Sequence, residues 1–255
     1  MNIKAAVWAV TLGVLLVGCA SQGLKQPTRA ERVEEVAQIK TQLAVEFMRS
    51  GDYRQAVSTI DEALQSNSSY VYAWLIRAQI WQYLKEPVKA EESFKRALTL
   101  APDSAEVNNN YGWFVCDVRN NPAASIAYFD KALADPTYPS PEVANMNKGI
   151  CTTRMGQYSL AKAYFERALA ANRNFAPAQK EMARTALLAG NAQDADYLFR
   201  QYQSRINNLD ADDLLLGWKI ARSLGYSQAA YEYEAQLRAN FPYSNELQEI
   251  STGRM

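Results

Sequence analysis

The sequence predicts an all-α fold, a solenoid of stacked helix-turn-helix units, from three observations. Residues 149–175 hold two helical patterns joined by a turn, with small residues at Gly149, Ala161 and Ala168, large apolar ones at Tyr158, Phe165 and Leu169, and a helix-breaking Gly156 between the halves. That order of small and large side chains comes round again in both directions, at a spacing of about 34 residues. A single hairpin of this kind has an apolar face and nothing to bury it against, so it needs neighbours. A chain of 255 residues, 48% apolar and 21% charged, is long enough for an elongated array with a continuous core.

Composition narrows the function before any motif does. Lysine plus arginine equals aspartate plus glutamate at 27 each, so no general basic field attracts nucleic acid. Histidine is absent, which removes the commonest general base, the Ser-His-Asp and Cys-His arrangements and most transition-metal sites. The chain is therefore read as a non-enzyme with no cofactor, metal or small-molecule substrate. Asp212 and Asp213 are a carboxylate pair, but adjacent residues on a helix do not face each other and make a poor acid and base couple.

Residues 1–18 place Lys4 ahead of an apolar run over 5–17, too short to span a bilayer as a mature helix, and end in Leu16-Val17-Gly18 before Cys19. This start resembles the signal peptide of a bacterial lipoprotein. The resemblance implies removal of residues 1–18, lipidation of Cys19 on its sulfur and acylation of the new amine, palmitate being an expected chain. Ala20, where many inner-membrane lipoproteins carry aspartate, implies the periplasmic face of the outer membrane. Residues 19–30, with Gly23 and Pro27, form the lipidated cysteine and a flexible tether.

The body over residues 31–243 divides into six units whose residue order resembles the tetratricopeptide repeat, and the resemblance implies a right-handed superhelical solenoid. In each unit helix A meets helix B where small side chains let the backbones approach. The first unit (37–70) carries Leu43, Ala44 and Phe47 on helix A, then Tyr53, Ala56, Ile60, Ala63 and Leu64 on helix B, with Gly51-Asp52 at the turn and residues 31–36 extending the first helix. Ser68 stands where the repeat pattern usually has proline. The second (71–104) is the most regular, with Trp74, Ala78, Trp81, Ala90, Phe94, Ala97, Leu98 and Pro102 in register, and Pro87 suits the first turn of a helix, where a missing amide donor costs little.

The third unit (105–141) carries Gly112, Ser125, Phe129, Ala132 and Leu133, with extra residues in the 119–122 turn and the 135–141 connection. The array is expected to bend or loosen at that connection. The stretch described at the outset belongs to the fourth unit (142–175). The fifth (176–209) keeps Met182, Ala183, Gly190, Ala195, Phe199 and Tyr202, and the sixth (210–243) keeps Leu216, Gly217, Tyr226, Ala229, Tyr233 and Leu237. Residues 244–255 offer Leu247 and Ile250 as anchors and read as a short C-terminal cap or tail.

In tetratricopeptide arrays the A helices line the concave side. Carried over, this gives a protein-binding groove of Tyr72, Leu75 and Tyr83, then Asn109 and Trp113, Met146 and Ile150, Arg184 and Leu187, and finally Leu214 and Trp218. Such a groove would be apolar and aromatic with few charges, and aromatic and methionine side chains are common interface anchors. Packing within the array is the alternative for any one of them. Arg49, Arg154, Arg184 and Arg222 are candidates for pairing with acidic partner groups, solvated charge being the alternative. Cys116 and Cys151 fall on the A helices of successive units, and an oxidising periplasm would favour a disulfide between them, two buried thiols being the alternative.

Two stretches, NNNYGWFVC at 108–116 and AYFDKALADPTYPSPEVANMNKGIC at 127–151, together with the lipoprotein-like start and the six units, resemble the PilF/PilW pilotin family of type IV pilus biogenesis and stability lipoproteins. The resemblance covers essentially the whole chain. It implies a non-catalytic adaptor at the outer membrane whose partners are the pilus secretin and other pilus proteins, acting on secretin localisation or multimerisation, on fibre stability, or on both. A general periplasmic scaffold for outer-membrane assembly or cell-wall factors would use the same architecture.

Overall fold

The computed structural model describes residues 27–252, and every regular element among them is an α-helix. The A helices are α1 (Arg29–Arg49), α3 (Val71–Tyr83), α5 (Ala105–Asp117), α7 (Pro141–Arg154), α9 (Ala176–Leu188) and α11 (Ala211–Ser223). Each is followed by its B helix: α2 (Tyr53–Ser66), α4 (Pro87–Leu100), α6 (Pro122–Ala134), α8 (Tyr158–Ala171), α10 (Ala192–Gln203) and α12 (Ser227–Asn240). These twelve pack as six successive hairpins, and α13 (Asn245–Ser251) closes the stack against α11 and α12. The signal segment, Cys19 and the tether up to residue 26 lie outside the described residues.

The first helix begins two residues before the tether was expected to end. Thr28 Oγ1 accepts from the Glu31 amide (3.2 Å) while the Glu31 carboxylate accepts from the Thr28 amide (2.6 Å), a reciprocal cap that satisfies two otherwise unpaired donors. Every turn from A to B carries one residue in the left-handed region. Gly51, Gly156, Gly190 and Gly225 take it with φ of 80°, 73°, 82° and 74°, whereas Lys85 (57°) and Asn120 (48°) take it in the second and third hairpins. The turn is closed by an amide reaching back to a carbonyl of the last A-helix turn, as in Asp52 to Phe47 (2.9 Å) and Gln157 to Thr152 (3.2 Å). In the third hairpin the bond runs from Asn121 to Val115 (2.9 Å), one residue longer, which accommodates the extra residue noted in the sequence.

Inside the second to sixth hairpins a small A-helix residue receives a large ring from helix B, while in the first Ile60 takes that place. Phe94, Phe129, Phe165 and Phe199 are at most 1% exposed, and burying each ring contributes about 2–3 kcal/mol. Opposite three of the B-helix rings the A helix has glycine, and a methyl group there would collide. A Cβ on Gly149 would lie 2.6 Å from the Phe165 ring, one on Gly217 2.6 Å from Tyr233, and one on Gly112 3.0 Å from Phe129.

Direct contacts between neighbouring A helices (α1 with α3, α5 with α7, α7 with α9, α9 with α11) are not matched by contacts of similar extent between successive B helices, so the A helices form the inner side of the curve. The third-to-fourth connection, expected to loosen the array, does not. Asp135 Oδ1 accepts from the Thr137 amide (2.8 Å) and hydroxyl (2.7 Å), and Tyr138 folds back onto a cluster of Ala105, Ala132 and Ala144. The packing of α6 on α7 is the most extensive at any junction between hairpins, because the added residues fill space. Between the second and third hairpins α4 and α5 touch little, and the space is filled by a buried cluster of Leu75, Phe94, Val107, Tyr111 and Phe114.

Candidate protein-binding groove

Starting from the inner helix faces, the eleven predicted groove residues sort into three groups. Tyr72 and Tyr83 are exposed, at 37% and 62%. Trp113, Met146, Ile150, Arg184 and Leu187 are half-buried. Leu75, Asn109, Leu214 and Trp218 are buried, which corrects their assignment as contact residues.

The reasons differ. Leu75 is enclosed with Phe94 and Val107 in the core shared by the second and third hairpins. Leu214 and Trp218 pack with Leu247 and Ile250 of α13, which occupies the place a further A helix would take and covers the face of α11. Asn109 is spent on a buried amide pair, accepting at Oδ1 from Asn147 Nδ2 of α7 (3.1 Å), since a buried amide left unpaired would be costly.

The inner side also carries more charge than an apolar groove would. Arg154 reaches from α7 to α5, donating to Asp117 (2.6 Å) and to the Cys116 carbonyl (3.2 Å) with its guanidinium 5.6 Å from the Trp113 ring centre. Arg184 donates to Glu181 (3.2 Å) on its own helix and to Asp212 (2.6 Å) on α11. Both are therefore satisfied within the chain rather than free for a partner. Arg49 pairs with Glu46 (2.8 Å), and Arg222 lies over the Trp218 ring at 5.7 Å.

Sequence reading missed the centre of this network, Lys180. Its ammonium lies 2.6 Å from Asp213, 2.8 Å from Asp212 and 3.5 Å from Asp210. Burial opposes its charge, but the bonds to Asp212 and Asp213 win and raise its pKa above the ordinary lysine value. Asp212 likewise ends below the usual carboxylate range, burial being outweighed by Lys180 and Arg184. Glu181, facing mainly burial, is raised. The carboxylates of Asp210, Asp212 and Asp213 converge as metal ligands do, but the lysine ammonium holds the position a cation would take. Asp213 with Asp210 also caps α11, so the adjacent Asp212 and Asp213 have structural partners, and neither is arranged as a general acid or base.

Cys116 and Cys151 are fully buried beneath Trp113 and against Phe129, with Cα atoms 6.0 Å apart and their sulfurs bonded. The helices α5 and α7 are thus tied at three levels, by the Asn109–Asn147 amide pair, the cysteines, and the Arg154–Asp117 ion pair. The inner side thus combines half-buried aromatic and aliphatic side chains with polar groups that are paired within the chain.

Comparison with known proteins agrees with this architecture. Residues 41–105 and 144–175 match the tetratricopeptide repeat family. The type IV pilus assembly protein PilF of Pseudomonas aeruginosa is 29% identical over 255 residues, covering 98% of both chains. A crystal structure of PilW, described as a widely conserved type IV pilus biogenesis factor, is 63% identical with a TM-score of 0.78, covering 85% of this chain and 99% of that one. A structure of Pseudomonas aeruginosa PilF is 27% identical with a TM-score of 0.70, covering 88% of this chain and 100% of that one. The 63% identity to PilW, which is matched along almost its entire length and built of the same stacked hairpins, settles the family: the chain belongs to the PilF/PilW group of tetratricopeptide-repeat proteins of type IV pilus biogenesis.

Proposed function

We propose that the chain is an outer-membrane-anchored periplasmic adaptor that supports the localisation and multimerisation of the type IV pilus secretin. The observation that carries this reading is the match to pilus biogenesis factors over nearly the whole chain, in a scaffold whose A helices line one side. Lipidation of Cys19, with more than one acyl chain, would hold the array at the inner leaflet, since a single chain binds only reversibly. Tyr72, Tyr83, Trp113, Met146, Ile150 and Leu187, the predicted apolar and aromatic residues that keep exposed surface, form the contact face. In the periplasm Cys116 and Cys151 stay oxidised and hold Trp113 in place.

The test deletes the gene and scores secretin multimers and surface pili separately, then complements with Cys19→Ala and with Trp113→Ala. The expected outcome is loss of multimers on deletion, mislocalised multimers with Cys19→Ala, and reduced multimers with Trp113→Ala at unchanged helicity. Normal multimers with lost pili would transfer the role to fibre stability. Unchanged multimers and pili would overturn the pilus reading of this chain.

A further inference from the structure

A cleft of about 400 Å³ lies at the edge of the second-to-third junction, bounded by α1, the start of α3 and the start of α5. Glu34, Tyr70, Tyr72, Leu75, Glu106 and Val107 contribute to its wall. Two of its lining residues are acidic and none is basic. The rings of Tyr70 and Tyr72 stand at 76° with centres 6.4 Å apart, forming an aromatic corner. Glu34 accepts from Asn67 Nδ2, while the Glu106 carboxylate has no hydrogen bond or ion pair with any described residue.

The electrostatics are one-sided. Although Glu106 is solvent-accessible, partial desolvation by the surrounding wall raises its carboxyl above the ordinary pKa, with no cation to offset it. The Tyr70 phenol is raised by burial and then by the negative charges of Glu34 and Glu106. Elsewhere along the inner side carboxylates face cations, as Asp117 faces Arg154 and Asp212 faces Lys180 and Arg184. This cleft has the carboxylates and the aromatic faces without the cation.

We infer that the cleft captures a basic side chain, an arginine, presented by an extended segment of a protein partner. A planar guanidinium stacks on tyrosine and donates to the unpaired Glu106 carboxylate, with the Glu34 charge adding attraction, a combination that the compact, strongly hydrated lysine ammonium serves less well. The inference deepens the groove reading by naming the chemistry that one end of it selects. Its test uses no secretin, so the two can fail independently.

The experiment labels the full-length chain in detergent micelles with 3-fluorotyrosine, assigns Tyr70 and Tyr72 by single Tyr→Phe substitutions, and titrates N-acetyl-arginine amide at constant ionic strength. N-acetyl-citrulline amide, of the same shape but neutral, is the control. The expected result is a saturable shift confined to Tyr70 and Tyr72, with a dissociation constant on the order of 1 mM for so small a ligand. Citrulline should give no saturable shift, and Glu106→Gln, on an exposed helix start where folding is unaffected, should weaken arginine binding about fivefold. Equal shifts with citrulline, shifts spread over all tyrosines, or unchanged affinity in folded Glu106→Gln would overturn the inference.

Discussion

Gly149→Ala tests the packing rule on which the hairpins rest. The added Cβ would lie 2.6 Å from Phe165 Cε1 and 2.9 Å from both Cδ1 and Cζ, inside the roughly 3.4 Å at which ordinary carbon contacts begin. The ring is fully buried and backs onto Ala161 and Met182, so relief requires moving Phe165 within a filled core. Overpacking of this kind costs about 1–3 kcal/mol, while replacing glycine by alanine in a helix returns about 1 kcal/mol. With three ring atoms inside 3.0 Å the overpacking cost falls in the upper half of that range, so the net expectation is a loss of about 1–2 kcal/mol. Gly112→Ala, whose nearest contact is 3.0 Å, should come out near zero. Urea denaturation followed by far-ultraviolet circular dichroism measures both, and adding Phe165→Leu to Gly149→Ala should recover part of the loss. If Gly149→Ala were as stable as the parent, or if Phe165→Leu worsened it additively, close approach of ring and backbone would not be what selects glycine there.

Replacing Cys116 and Cys151 together with alanine should cost about 4 kcal/mol on the chain-entropy account for a sequence separation of 35, read as a lower melting temperature that no longer responds to dithiothreitol. Lys180→Met should lose about 3 kcal/mol, because Asp213, 2% exposed, is left beside Asp212 without its cation; denaturant midpoints report it. Asp212 is lowered in the fold, so its contribution is complete above the unfolded carboxylate value near ~3.9 and disappears as pH falls through the folded one. The stability gap between parent and Asp212→Asn should therefore be constant from about pH 6 to 8 and close below about pH 4. Lys85→Gly should raise stability by about 0.5–1 kcal/mol by relieving a left-handed lysine at φ 57°.

Sequence periodicity located the hairpins because small and large residues face each other at fixed spacing, and Gly51, Gly156 and Gly190 punctuate their turns. Lys85 and Asn120 serve the same role without a glycine signal, so their conformation was not legible. The groove was read less well than the fold. Repeat position says which face of an A helix points inward, but burial depends on what covers that face. Leu214 and Trp218 occupy the repeat's inward-facing A-helix positions, yet Leu247 and Ile250 of α13 cover that face. The ion pairs of Lys180 and Arg184 join residues about thirty positions apart, which helical spacing within one unit does not reveal. The expected loosening at residues 135–141 failed for a related reason, since Tyr138 turned the extra length into packing.

The uneven fastening of the A helices has a mechanical consequence. Helices α5 and α7 share a covalent link, an amide pair and an ion pair, and α9 and α11 share the lysine-centred knot, whereas α3 meets α5 through a long hydrogen bond from Gln79 to Asn110 (3.4 Å) and common packing on Phe94. A spring made of unequal coils yields at its softest coil. Tension applied between the two ends would be resisted most at the cross-linked third-to-fourth junction and would be passed to the second-to-third junction, which apolar packing and one long hydrogen bond hold. The strain would thus be delivered to the wall formed by Tyr72 and Glu106, so that occupancy of that wall and the curvature of the whole array become a single variable.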